Sequence, residues 1–300
     1  MWQQLLDQIQ AGDIKALARS ISLVENEHHG YEELLLQLPP NHHTKIIGVT
    51  GPPGAGKSTL VDGLIGELVK HENNVAVLCV DPSSPFNMGA VLGDRIRMNQ
   101  WYTHPNVFIR SLASRGSMGG LHPKIIEITE LVKAANFDYI VLETVGVGQS
   151  EIEIAGLADT TVVVLVPEAG DEIQTMKAGL MEIADVFVVN KSDRPDSDAF
   201  VRNLRMMLAP TFSSHKNEVA IIKTVASEHK GLDELYEAIK KHQREERENE
   251  RRSQLLAERV YFLIQKKRME DIDKHDIKTA IDSKMKATDF NLYQFVEQFK

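Results

Sequence analysis

The octapeptide Gly51-Pro52-Pro53-Gly54-Ala55-Gly56-Lys57-Ser58 constrains this chain more than any other stretch. It has the spacing G-x-x-x-x-G-K-[ST], and it stands between a short apolar run at 46–50 and a helical pattern over 57–71. Glycines at these places let successive backbone N–H groups turn inward around an anion without steric strain. The helix that follows presents its positive N-terminal end to the same anion. Lys57 can reach the β- and γ-phosphates as a point charge. The Ser58 hydroxyl can ligate Mg²⁺, and Thr59 can reach the α-phosphate. Strand, glycine-rich turn and helix in this order predict an α/β fold of the P-loop NTPase type, with residues 51–59 as its phosphate site.

The rest of the chain fits that expectation. Further short apolar runs lie at 75–80, 107–110, 139–142, 161–166, 184–189 and 219–224, and helical patterns such as 123–134 separate them. Continuously apolar strands belong to a sheet covered on both faces, so a mostly parallel sheet flanked by helices is expected over 41–240. Residues 1–40 read as an N-terminal helical extension. There Leu5, Ile9, Leu17, Ile21 and Val24 recur at helical spacing, Asp13 is placed to cap the second helix, and Pro39-Pro40-Asn41 ends the region. Residues 241–300 read as a C-terminal helical segment, for dimerisation or for packing back on the same chain. It opens with the charge run 240–252, a solvated helix face. Leu255, Leu256, Val260, Ile264, Phe290, Leu292, Phe295 and Phe299 are its expected packing residues.

Base identity is carried by Asn190-Lys191-Ser192-Asp193, directly after an apolar strand. The Asp193 carboxylate can accept hydrogen bonds from guanine N1–H and the N2 amino group. Adenine would meet it with a lone pair, and an unpaired buried charge is expensive. Asn190 can bond N7 and tether neighbouring loops, while the Lys191 stem can lie over the base. Val225-Ala226-Ser227 follows the last strand, where a backbone N–H can face guanine O6. A chain with both motifs is expected to bind and hydrolyse GTP.

Acidic residues for the metal should stand at strand ends near the phosphates. Asp81 and Glu143 do, and Asp94 in Leu92-Gly93-Asp94-Arg95 is a third candidate. Ser58, Asp81, Asp94 and Glu143 are therefore the expected Mg²⁺ ligands. Glu143-Thr144-Val145-Gly146 has the form of a D-x-x-G switch with Glu for Asp, so the Gly146 N–H can sense the γ-phosphate. Lys57, Asp81, Glu143 and Gly146 form the expected catalytic set. The place after Gly146 holds Val147 where Ras-type proteins have a water-positioning glutamine, so slow intrinsic hydrolysis is expected, accelerated by a partner or by another acid such as Asp81.

Composition excludes other classes. With 43 acidic against 34 basic residues the formal net charge is −9, a poor match for nucleic acid or an anionic membrane. The single cysteine, Cys79, allows no internal disulfide and reads as a packed strand residue. Residues 1–10 carry charge and amides in place of an apolar leader, and no apolar run approaches the ~20 residues of a membrane span. A soluble, cytoplasmic protein is expected.

Longer stretches carry a resemblance. Val80-Asp-Pro-Ser-Ser-Pro-Phe86, Leu92-Gly-Asp-Arg-Ile-Arg-Met98, the run Ile109-Arg-Ser-Leu-Ala-Ser-Arg-Gly-Ser-Met-Gly-Gly120, Glu143-Thr-Val-Gly-Val-Gly-Gln-Ser150 and Gly170-Asp-Glu-Ile-Gln174 are similar to the MeaB/ArgK family of G proteins. So are Gly12-Asp13 and the run Ala18–Glu25 at the N-terminus, and the similarity covers nearly all of 1–240. Met88 and Glu168 depart from it, standing where the family usually has glycine. The resemblance implies a homodimeric GTPase that chaperones an adenosylcobalamin-dependent acyl-CoA mutase, usually methylmalonyl-CoA mutase, gating its cofactor loading and protecting or reactivating it. The corrinoid would sit on the mutase, since no D-x-H-x-x-G motif occurs here. Other readings stay open: a metal-delivery GTPase for nickel or cobalt enzymes, against which the single cysteine counts, a transport-associated kinase, and a non-catalytic scaffold with bound GDP.

Overall fold

A computed structural model describes all residues except 1, 42, 82–97, 115–120, 145–149, 170–177, 213–218, 245–249, 270, 287–289 and 300. The chain divides into two compact units, Met1–Arg252 and Ser253–Lys300.

In the first unit, the buried apolar runs become seven strands: β1 (Lys45–Thr50), β2 (Val75–Asp81), β3 (Val107–Ala113), β4 (Tyr139–Glu143), β5 (Thr160–Leu165), β6 (Val186–Val189) and β7 (Ala220–Lys223). They pair in the order β3-β2-β4-β1-β5-β6-β7, and every pairing is parallel. Three short helices precede the sheet: α1 (Trp2–Gln10), α2 (Ile14–Glu25) and α3 (Tyr31–Leu36). Between the strands come α4 (Lys57–Lys70), α5 (Ile125–Lys133), α6 (Ser150–Leu157), α7 (Ala178–Ile183) and α8 (Ser197–Phe212), and α9 (Leu232–Arg244) follows β7.

Side chains alternate between the two faces of the strands, and both faces are dry. Val162, Val164, Val186 and Val188 pack with Leu60, Leu64 and Leu68 of α4 and Leu235 and Ile239 of α9. Their neighbours Val163, Leu165, Phe187 and Val189 pack on the opposite face with Ile183 of α7 and Phe200, Leu204 and Leu208 of α8. The central strand β1 has β4, β2 and β3 on one side and β5 to β7 on the other. Winding reverses there, and the carboxyl ends of the strands open a crevice at that point.

Several expected boundaries shift. β3 runs to Ala113, beyond the expected stop at Arg110, because β2 supplies partners through Asp81↔Ala113. The charge of Arg110 is met from outside the strand, by an ion pair with Glu25 of α2 and a 3.0 Å hydrogen bond to Ser22 Oγ. β6 starts at Val186. Asp185 stays outside the strand, and its carboxylate accepts the Thr161 N–H at 2.8 Å. Asp13 caps α2 as expected, accepting from the N–H groups of Lys15 and Ala16.

The second unit contains the rest of α10 (Glu250–Arg268), then α11 (Lys274–Lys286) and α12 (Leu292–Val296). Phe295 is buried there, with the Phe290 ring 5.9 Å away and Lys284 Nζ over its own ring. The expected packing of Leu256, Val260, Ile264 and Leu292 is not seen, and all four are exposed. A unit of three short helices has too little apolar surface of its own to cover them. Phe299 lies outside the described side chains. Among the described residues, no helix is long and apolar enough to cross a membrane.

Candidate functional site

The crevice is lined first by the loop between β1 and α4. Gly51 has φ 141°, and a Cβ on it would stand 2.2 Å from the Val164 carbonyl oxygen. Gly56 has φ 89°, a left-handed conformation at the start of α4, and a Cβ there would stand 2.4 Å from Asn190 Nδ2. Both places therefore need glycine. Between them Ala55 is buried, Pro52 is half-buried, and Pro53 and Gly54 are exposed. Lys57 is buried and folds back over its own loop, its ammonium donating to the carbonyls of Gly51 at 2.9 Å and Pro52 at 3.1 Å. Thr59 is half-buried one residue into the helix after Ser58.

Ser58 Oγ donates to Glu143 Oε1 at 2.7 Å, and both residues are buried. Glu143 is the last residue of β4, the strand next to β1, so adjacent strands bring the pair together. A hydroxyl and a carboxylate side by side are hard oxygen donors and fit Mg²⁺. Two contacts that the sequence did not reveal hold this corner. The Cys79 thiol donates to Glu143 Oε2 at 3.9 Å, and the hydroxyls of Thr50 and Thr144 are 2.9 Å apart. Asp81 closes β2, but its side chain is outside the description. Asp94 and Gly146 lie outside the described residues altogether.

The loop expected to read the base, 190–193, adjoins the loop expected to hold phosphates through Asn190. Its Nδ2 donates to the Ala55 carbonyl at 2.9 Å. Its Oδ1 accepts from Thr224 Oγ1 and from the Ala226 N–H, both at 3.1 Å. One amide thus ties together the phosphate loop, the end of β6 and the residues after β7. Lys191 takes φ 55°, and its ammonium donates to the Gly54 carbonyl at 2.8 Å. The Ser192 N–H donates to the Thr224 carbonyl, and Ser197 Oγ to the Ser192 carbonyl. With its neighbours pinned, Asp193 is left exposed, its carboxylate open to a ligand. Val225 and Ala226 are buried beside Asn190, and Ser227 is exposed next to them. Thr224 was missed by sequence reasoning, because its role depends on a partner that the chain brings up from 34 residues away.

At the outer rim, Glu168 of the Pro167–Ala169 turn pairs with Arg194, next to Asp193. Hydrogen bonding from Arg194 holds the Glu168 carboxyl below the usual carboxylate range.

The family model described as methylmalonyl-CoA mutase-associated GTPase MeaB matches residues 17–280. A protein of Pyrococcus abyssi named as a GTPase is 43% identical over 272 residues, covering 88% of this chain and 84% of that one. The methylmalonic aciduria type A homolog, mitochondrial, of Caenorhabditis elegans is 36% identical over 207 residues, covering 64% of this chain and 52% of that one. Among solved structures, a LAO/AO transport system kinase superposes with a TM-score of 0.69 at 26% identity, covering 99% of this chain and 95% of that one.

Proposed function

The chain belongs to the MeaB family of GTPases, and on that premise we propose that it is a G protein whose nucleotide state controls an adenosylcobalamin-dependent acyl-CoA mutase, methylmalonyl-CoA mutase or a close relative. The observation that carries the GTP part is the Asn190 amide, which joins the phosphate loop to the loop bearing Asp193. A base seated on Asp193 and phosphates seated on residues 51–59 would be held in one frame. Ser58 and Glu143, with Asp81 and Asp94, would hold Mg²⁺, which neutralises charge developing on the phosphate oxygens. Lys57 would exchange its carbonyl partners for phosphate oxygens, and the Gly146 N–H would bond the γ-phosphate. Ala226 already gives its N–H to Asn190, which leaves Ser227 as the neighbour to face guanine O6.

The client part rests on the family. Residue 147 is valine, so the site holds no glutamine there to orient water, and a partner that completes it could also read the nucleotide state. By linkage, a partner that binds the GTP and GDP forms differently must itself alter nucleotide affinity, by ~1–3 kcal/mol in ordinary cases. The cofactor would stay on the mutase, and this chain would gate its loading. A second copy of the chain would cover Leu256, Val260 and Ile264, which are spaced as one stripe on α10 and exposed. Removing 253–300 should then leave a monomer in light scattering.

The test of the client reading uses purified mutase from the same cell. GTP turnover should rise when mutase is added, and cofactor loading should differ between GTP, GDP and a non-hydrolysable analogue. No change in either quantity, with an active mutase, rejects the chaperone reading and leaves the GTPase in place. Glu143→Ala should weaken Mg²⁺-dependent hydrolysis more than GDP binding.

A further inference from the structure

Strands β1 and β4 end in step. Val49 is the register partner of Glu143, so Thr50 and Thr144 come opposite each other one residue further on. The Thr144 N–H donates to the Val49 carbonyl at 3.1 Å, and the two threonine hydroxyls stand 2.9 Å apart. Both residues are buried. Glu143 lies between Val49 and Cys79 in the sheet and meets Ser58 of α4. Side chains alternate along strands, so the threonines face the other side and act on Glu143 through the backbone of β4. Thr50 also borders Gly51, whose carbonyl takes the Lys57 ammonium at 2.9 Å.

A buried hydroxyl pair adds little stability over an apolar pair of the same shape. The runs that lead to this one, Ile46 to Val49 and Ile140 to Leu142, are apolar. What hydroxyls give that methyls cannot is a short, directed contact. These oxygens close to 2.9 Å, while carbon atoms pack at ~3.5–4.0 Å. An apolar pair would hold the two strand ends roughly 1 Å further apart. The difference would fall one residue from the carboxylate that meets Ser58, and one residue from Gly51, where the phosphate loop begins.

We propose that Thr50 and Thr144 are positioning residues for the Mg²⁺ end of the site. Their hydroxyl bond sets the spacing between the root of the phosphate loop and the backbone of Glu143, and so the reach of the Glu143 carboxylate to Ser58. The proposal rests on the reading of Ser58 and Glu143 as metal donors.

The test compares full-length wild type with Thr144→Val, the double variant Thr50→Val/Thr144→Val, Thr144→Ser and Glu143→Ala. Release of a fluorescent GDP is followed across a Mg²⁺ titration, with single-turnover GTP hydrolysis and apo melting temperature alongside. Release reports only the folded fraction, so partial unfolding of a variant does not imitate the effect. Thr144→Val strands a buried hydroxyl and should melt roughly 2–6 °C lower. The double variant strands none and should recover most of that. It should still hydrolyse GTP about tenfold more slowly, within the ~10²-fold that a 1 Å misplacement can cost. It should also need severalfold more Mg²⁺ to slow GDP release. Without Mg²⁺ its GDP release should stay within about twofold of wild type, since no phosphate or base contact is removed. Thr144→Ser keeps the hydroxyl and should recover most of the rate. A merely structural role would restore rate and Mg²⁺ dependence together with the melting temperature in the double variant. That result, or Thr144→Ser as slow as Thr144→Val, would overturn the proposal. So would threonine variants that behave as wild type while Glu143→Ala is impaired. Wild-type Mg²⁺ dependence in Glu143→Ala would instead remove the metal-donor reading, and the proposal with it.

Discussion

At the phosphate end of the site the chain offers backbone, and at the base end it offers side chains. Around Gly51 and Gly56 the geometry depends on φ values of 141° and 89° and on the absence of a Cβ. Around Asn190 it depends on an amide with three partners and on an aspartate left exposed. Backbone geometry of this kind is all or none, because a misplaced loop loses every N–H contact at once. A side-chain network can lose one bond and keep the others. The phosphate end should therefore set whether any nucleotide binds, and the base end should set which one.

Lys57→Ala tests the first half most severely. It removes the buried ammonium proposed to exchange its carbonyl partners for phosphate oxygens, so affinity for GTP and GDP should both fall at least about a hundredfold, the cost of charged hydrogen bonds lost together. Isothermal titration would show it. Unequal losses, with GDP nearly unaffected, would mean that the lysine serves the γ-phosphate alone and that the loop backbone suffices for the rest.

Asp193→Asn tests the second half. Affinity for GTP should drop roughly a hundredfold or more, and xanthine nucleotides, which carry an acceptor where guanine has its amino group, should gain. Competition assays with GTP, XTP and ATP measure this. The comparison breaks if ATP and GTP bind the wild type equally.

Asn190→Ala sits where the two halves meet, so it should not sort cleanly into either. Its loss leaves the Ala55 carbonyl, the Thr224 hydroxyl and the Ala226 N–H without their amide partner. A stability loss of about 1–3 kcal/mol is expected even without nucleotide, the cost of stranding buried polar groups. Asp193→Asn, at an exposed carboxylate, should not show this, and thermal melts of the apo proteins compare the two.

Much of this was legible because the chemistry is local in sequence. Gly51 to Ser58 and Asn190 to Asp193 are each consecutive residues at a strand end, and the fold supplies only the right flanks. Glu143 was legible for the same reason, as an acid directly after an apolar run. The contacts that hold these residues were not. Thr144 meets Thr50 from 94 residues away, and Cys79 meets Glu143 from 64. Nothing in a threonine or a lone cysteine announces such a partner before strand order and register are known. Arg110 shows the same limit within one element. A charge in the middle of a strand reads as its end until Glu25 arrives from another helix to pair with it. In the C-terminal unit apolar spacing was legible, but what covers Leu256 and Val260 was not, since periodicity identifies a face and not its occupant.

The smallest expected effect concerns the rim of the base end, where Glu168 pairs with Arg194. Arg194 is the neighbour of Asp193, so the pair could in principle hold the base-reading loop in place. Three observations argue against it. The loop is already pinned from inside by Asn190, Ser192 and Ser197. The two rim side chains are 50% and 45% exposed, so water and salt screen them. Exposed pairs of this kind contribute about 0–1 kcal/mol. The Glu168 carboxyl is held below its usual range, chiefly by the hydrogen bond from Arg194. Its contribution is therefore present above the ordinary carboxylate pKa and is lost as the pH falls through the lowered value. Glu168→Ala should lower stability by no more than about 0.5 kcal/mol at neutral pH. The difference should disappear in acid and in roughly 1 M salt, and guanine preference should not move. Melts of both proteins across pH and salt, with GTP and ATP competition alongside, measure it. A shift in guanine preference from this one surface carboxylate would show that the base end leans on its rim and is not set by the Asn190 network alone.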